Sequence, residues 1–257
     1  MKTTLTKEEV MLKMVDSEGS MPVANAATGL FKGEGWVGER TIDKVILAES
    51  PFARCEAHSV MSEDGKTLVK DWLWMEEREH VNVAVMDENK MFIVMKQRKY
   101  GISGESLSTI GGFLEEGESP FQTAVREVAE EMGMGSKATR DRMTSLTELN
   151  ISKGDPSGTV NSEESQDWIF LGKYRTSTNR GGGFVNVYFL KNAVPIAENG
   201  GTADFKATEE GEKQNVFKMS IEDVTKAVKN AEFQEAKWTN ALSLSLIQIL
   251  TGALEDN

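Results

Sequence analysis

With 257 residues and a formal net charge of −12, the chain is long enough for one substantial core, or for a catalytic domain with a smaller companion. The acidic balance argues against a nucleic-acid binder that tracks phosphates, because such proteins need basic surface. It leaves a nucleotide substrate open, since metal ions screen carboxylates from phosphates. Cys55 is the only cysteine, so an intrachain disulfide is excluded and a reducing compartment is expected. No apolar run is long enough to span a bilayer, and residues 1–10 have neither a signal peptide's apolar core nor a transit peptide's arginine bias. The expectation is an intracellular, cytoplasmic protein with no membrane partner.

In chain order, residues 1–39 hold a short helical pattern at 6–15 and a loose Gly- and Ala-containing stretch, without a motif. Short strands are predicted at 45–49, 55–61 and 67–75, the last two separated by a turn at Glu63-Asp64-Gly65. A second pair is predicted at 81–86 and 91–97, around the turn-like Asp87-Glu88-Asn89. A glycine-rich connection then leads to a helix. Ser119 suits its N-cap, Pro120 its first position and Gly133 its stop, while Phe121, Ala124, Val125, Val128 and Met132 recur at helical spacing. Strands follow at 145–151, 168–174 and 184–190, then a strand-like 215–219 and helices at 221–230 and 240–250, the first capped by Ser220. One mixed sheet with helices on its faces accommodates this order. Residues 40–76 read as a small accessory sheet between an N-terminal extension at 1–39 and a catalytic domain at 77–257.

The helix carries the chemistry. Glu127, Glu130 and Glu131 share one of its faces, and carboxylates at i, i+3 and i+4 repel one another. A hard divalent cation relieves that repulsion, and an all-oxygen set suits Mg2+ or Mn2+. A solvated acidic face with an internal Arg-Glu pair is the alternative reading of the charges alone. The whole segment from Gly112 to Met134 fits the pattern G-x5-E-x7-R-E-U-x-E-E-x-G-U, where U is a bulky apolar residue, at all nine specified positions.

This pattern resembles the signature of the Nudix hydrolases. The resemblance implies an α/β/α sandwich and metal-dependent hydrolysis of a nucleoside diphosphate linked to another group. It implies Glu127 and Glu131 as main metal ligands, Glu130 as a further or water-held ligand, and the Gly111 carbonyl as completing the site. Arg126 and Glu118 are then supports that orient the carboxylates. Outside this signature box, Gly112 to Met134, the resemblance is closest to the ADP-ribose and ADP-sugar pyrophosphatases. Lys96-Gln97-Arg98-Lys99-Tyr100 partly matches their Gln-aromatic-Arg stretch, which implies Arg98 as a phosphate contact, with a surface basic cluster as the alternative reading. Thr208-Glu209-Glu210-Gly211-Glu212 stands where that branch has an acidic loop, which implies Glu210 as the water-activating base and Glu212 as an extra metal ligand, with a solvated acidic loop as the alternative reading of each residue. Trp74, like Trp72, sits on a strand where an aromatic ring stacks on a base or packs against protein. In that branch an accessory sheet helps build a homodimer. One departure stands out: the branch's E-x-P-A-G is here Ser108-Thr109-Ile110-Gly111-Gly112, so a polar contact is expected to be lost and the turn loosened.

The expected reaction is attack of water on a phosphorus of the pyrophosphate link, with Glu210 or a box carboxylate accepting the proton. The products are a nucleoside monophosphate and a phosphorylated partner. The alternatives are another Nudix specificity, such as a nucleoside triphosphate or coenzyme A, and a module that senses nucleotide without cleaving it.

Overall fold

The computed structural model describes residues 29–142, 166–196 and 215–255. The helix expected at 6–15, the strand expected at 145–151 and the acidic loop at 208–212 lie outside them. The described residues fall into two compact units, one up to Glu79 together with Arg175–Phe184, the other His80–Tyr174 together with the chain from Val185 onward. Among the described residues no helix is long and apolar enough to cross a membrane.

The first unit is an antiparallel sheet in the order β1 (Thr41–Glu49), β2 (Ala53–Met61) and β3 (Leu68–Glu77). Alternation along β2 and β3 turns Glu56, His58, Trp74 and Glu76 inward, all buried. Buried carboxylates need partners. Glu56 accepts from Lys44 Nζ at 3.0 Å, pairs with Arg54 Nε at 2.9 Å and meets His58 Nε2 at 2.6 Å. Glu76 accepts from the Trp36 amide at 3.0 Å and from the Trp74 indole N–H.

The second unit is an eight-stranded mixed sheet: β4 (His80–Asp87), β5 (Phe92–Gln97), β6 (Ser106–Ser108), β7 (Ile110–Phe113), β8 (Met134–Gly135), β9 (Trp168–Arg175), β10 (Phe184–Pro195) and β11 (Asn215–Met219). The central order is β11-β5-β4-β10-β8, with β6 beside β5, β7 beside β4 and β9 beside β10. β4 and β10 run parallel and are buried, as central strands covered on both faces must be. Their alternate residues feed two cores. Val81, Val83, Val85, Tyr188 and Leu190 pack with Phe121, Val125, Val128 and Met132 of α1 (Pro120–Met132). Ala84, Met86, Val187 and Phe189 pack with Val224 and Ala227 of α3 (Ile221–Lys229) and Trp238 and Leu242 of α4 (Ala236–Glu255). A sheet between two helical layers is the α/β/α arrangement expected from the sequence.

The differences are local. The glycine-rich connection before α1 contains β6 and β7, which are too short to show a period and are held by their ladders to β5 and β4. The short helix α2 (Lys137–Arg142) was not predicted; Ser136 caps it, its Oγ accepting from the Thr139 amide at 3.0 Å. β10 runs five residues beyond its expected end at 190, because a register shift between Leu190 and Ala193, with Asn192 at φ 58°, lets its tail pair with β8. Helix α4 starts at Ala236 rather than at 240 and ends at Glu255 rather than at 250.

The E-x-P-A-G departure is also compensated. Ser108 is fully buried and accepts from Gln97 Nε2 at 2.7 Å, so a polar contact is kept in another form. Ile110 is buried in the α1-side core and pairs with Val83. The segment is therefore a strand and not a loosened turn, and an isoleucine keeps the backbone N–H that a proline lacks.

Candidate active site

Both ends of α1 hold as its sequence dictates. Ser119 Oγ accepts from the Gln122 amide at 3.3 Å while Gln122 Oε1 accepts from the Ser119 amide at 2.9 Å, a reciprocal cap. Gly133 closes the helix in the left-handed region at φ 61°. The helix lies on β7 and β4. Its apolar stripe is spent on the core, which leaves Arg126, Glu127, Glu130 and Glu131 for the site.

Arg126 is the hub. Its Nε and Nη2 donate to the two oxygens of Glu118 at 2.8 and 3.0 Å, and its Nη1 donates to Glu127 at 2.8 Å and Glu130 at 3.1 Å. A further bond from Nη2 reaches the Phe113 carbonyl at 3.2 Å and ties the helix to the end of β7. Glu118 also accepts from Thr123 Oγ1 at 2.8 Å and the Glu115 amide at 3.1 Å. Burial pushes the Glu118 carboxyl up, but Arg126 and these two donors outweigh it and hold it below its ordinary value.

Glu127 and Glu131 behave in the opposite way. Burial raises Glu127, Arg126 offsets only part of the effect, and the charges of Glu130 and Glu118 add to it. Burial, followed by the charges of Glu127 and Glu130, pushes Glu131 up to about 7 against the opposing charges of Lys99 and Arg126. Two neighbouring carboxylates thus stand in a region short of positive charge.

A hard divalent cation fits this donor set. The donor atoms are oxygens, the deficit is positive charge, and the β7 backbone comes close, because a Cβ on Gly112 would overlap the Glu127 carboxylate. Among the described residues no three His, Cys, Asp or Glu side chains form a ready-made cation cage.

Of the residues singled out from sequence, Glu118, Arg126, Glu127, Glu130 and Glu131 come together on and before α1, and Gly111 lies on β7 opposite Asn82. Arg98 is exposed one residue past β5, its charge acting on Glu105. Trp74 belongs to the first unit and is buried, stacked on Trp36 with ring centroids 4.9 Å apart and on His58 at 5.7 Å, with Arg175 5.1 Å from its ring. Protein covers its ring, as the packing alternative foresaw. Glu210 and Glu212 lie outside the described residues. The sequence does not single out Lys99, whose charge rather than that of Arg98 acts on Glu131, and it marks Gly112 as a motif position without showing that its lack of a side chain admits Glu127. Lys99 stood in the quoted basic stretch, but no spacing rule picks it from its neighbours.

Fold and helix define a class. A family model described as NUDIX domain matches residues 76–248, and the chain belongs to the Nudix family. It is a pyrophosphohydrolase of that family, acting on the pyrophosphate link of a nucleotide derivative. No curated protein matches the chain. Among solved structures, one titled "Crystal structure of ADP compounds hydrolase" is similar with a TM-score of 0.58 and 16% identity, over 86% of this chain and 98% of that one. At that identity the likeness is one of fold.

Proposed function

We propose that the chain hydrolyses an ADP-linked sugar, ADP-ribose above all, to AMP and a sugar phosphate, using Mg2+ or Mn2+ held by Glu127, Glu130 and Glu131 with the Gly111 carbonyl. The observation that carries this reading is the charge deficit on α1, where one arginine serves three carboxylates and Glu131 is left raised to about 7. The fold it shares with an ADP compounds hydrolase supports the choice of substrate. A bound cation supplies acidity to the attacking water and offsets charge on the phosphate oxygens. Arg126 fixes the rotamer of Glu127 and anchors to Glu118, so the helix carboxylates are oriented before substrate arrives. The water oxygen bonds to phosphorus as the bridging P–O bond breaks, and the water's proton passes to a carboxylate, either Glu131 or Glu210. Glu212 adds a ligand, and the exposed Arg98 holds a phosphate by paired N–H bonds. Trp74 has no place in this scheme because its ring is occupied by protein.

The accessory sheet is proposed to pair two copies of the chain. Leu73 and Met75, exposed apolar side chains of β3, support that role, and sedimentation of the purified protein tests it. For the reaction, the test is a magnesium-containing panel of ADP-ribose, an NDP-sugar, a nucleoside triphosphate and coenzyme A, with products separated by chromatography. AMP and ribose phosphate from ADP-ribose are expected. Preferred release of pyrophosphate from the triphosphate, or no turnover of any substrate, contradicts the proposal.

A further inference from the structure

Between the ends of β4 the sequence is Val-Asn-Val-Ala-Val-Met, and Asn82 is its one polar side chain, 3% exposed. Burying an amide without partners costs on the order of 1–3 kcal/mol, so an asparagine here needs partners. Its Oδ1 accepts from Thr109 Oγ1 at 3.2 Å, and its Nδ2 donates to the Val81 carbonyl at 2.8 Å. Thr109 is itself buried.

The pair lies opposite the double glycine. In the β4–β7 ladder Asn82 faces Gly111 and Val81 faces Gly112. Successive positions of a strand point to opposite sides of the sheet, so the two glycines offer their bare faces in opposite directions. On one side, a Cβ at Gly111 would stand 2.5 Å from Asn82 Nδ2 and 2.7 Å from the Val81 carbonyl oxygen. On the other, a Cβ at Gly112 would overlap the Glu127 carboxylate. The Asn82 amide, held by Thr109, lies against the strand from the face opposite α1, and the Glu127 carboxylate lies against it from the α1 face.

We propose that Asn82 and Thr109 are positioning residues for the reaction: the buried pair fixes the height of the Gly111-Gly112 strand, and with it the Glu127 carboxylate and the Gly111 carbonyl. This rests on the reading of the site as a divalent-metal centre. Neither side chain touches substrate; both act through β7. Removing a group that hydrogen-bonds a metal ligand costs about 10–100-fold in metal affinity or activity, which bounds the effect of a pair that acts through the strand.

The test compares the full chain with Thr109→Val, which keeps the shape and drops the donor, Thr109→Ser, which keeps the donor, and Glu127→Gln. Unbound Mn2+ is counted by electron paramagnetic resonance without nucleotide, and kcat and KM are measured for ADP-ribose. Thr109→Val is expected to weaken Mn2+ binding and lower kcat by about tenfold or more with KM unchanged, while Thr109→Ser keeps both near the parent values. A Thr109→Val protein with a lowered Tm but parental Mn2+ binding and kcat has lost only packing, which overturns the proposal while the loss in Glu127→Gln leaves the metal centre standing. Parental Mn2+ binding in Glu127→Gln overturns the metal-centre reading and the positioning role with it. Should Thr109→Val not fold, Thr109→Ala, which also drops the donor, takes its place under the same criterion.

Discussion

Each unit sets carboxylates beside basic side chains, and the two treat them in opposite ways. In the accessory sheet a single carboxylate, Glu56, has Lys44, Arg54 and the His58 ring around it. Burial pushes its pKa up, yet the bonds from His58 and Lys44 and the charges of Arg54 and Lys44 hold it low. On α1 a single arginine is shared by Glu118, Glu127 and Glu130, and Glu131 is raised to about 7. Glu56 is well supplied with positive charge and serves stability. The α1 group is short of positive charge, and a site in that state gains most from a bound cation.

The largest break in the comparison is at Glu131. Glu131→Gln is expected to lower kcat for ADP-ribose by about 10²–10⁴-fold in saturating magnesium, with circular dichroism unchanged. Its counterpart, Glu56→Gln, is expected to leave kcat largely intact and to cost about 3 kcal/mol in urea unfolding, because two cations lose their shared buried partner.

A smaller effect separates the clusters by pH. Glu56 has a depressed folded-state pKa, so its stabilisation is present above the ordinary carboxylate value of about 4.3 and is lost as pH falls through the lower folded value. Glu131 has a raised one, so in metal-free protein its contribution is present below that ordinary value and is lost as pH rises through about 7. Thermal melts from pH 3 to 9 are expected to lose stability on the acid side in the parent but less in Glu56→Gln. A decline on the neutral side is expected to disappear in Glu131→Gln. Smallest is the cap: Ser119→Ala is expected to cost about 1 kcal/mol by urea unfolding, with the metal requirement unchanged.

Legibility followed the range of the forces involved. α1 was readable because its caps at Ser119 and Gly133 and its apolar stripe are local, and the spacing of Glu127, Glu130 and Glu131 follows from the helix itself. β6 and β7 were not, since three or four residues rich in Ser and Gly become strands only when β5 and β4 supply the partners. The same holds for Ser108, where the expected loss of a polar contact was met by Gln97, eleven residues away in sequence. Trp74 illustrates the converse: alternation places it on a face, but only the fold brings Trp36 and Arg175 onto its ring. Lys99 acts on Glu131 through space, across more than thirty residues of chain that no periodicity connects.

The central claim is that the under-charged carboxylates of α1 carry cation-dependent cleavage of a pyrophosphate link. Its most direct test is AMP formation from ADP-ribose, followed by chromatography, for the parent chain with magnesium, the parent chain with chelator, and Glu131→Gln with magnesium. AMP in the first reaction alone is the predicted result. Near-parental AMP formation by Glu131→Gln, or by the parent in chelator, contradicts it.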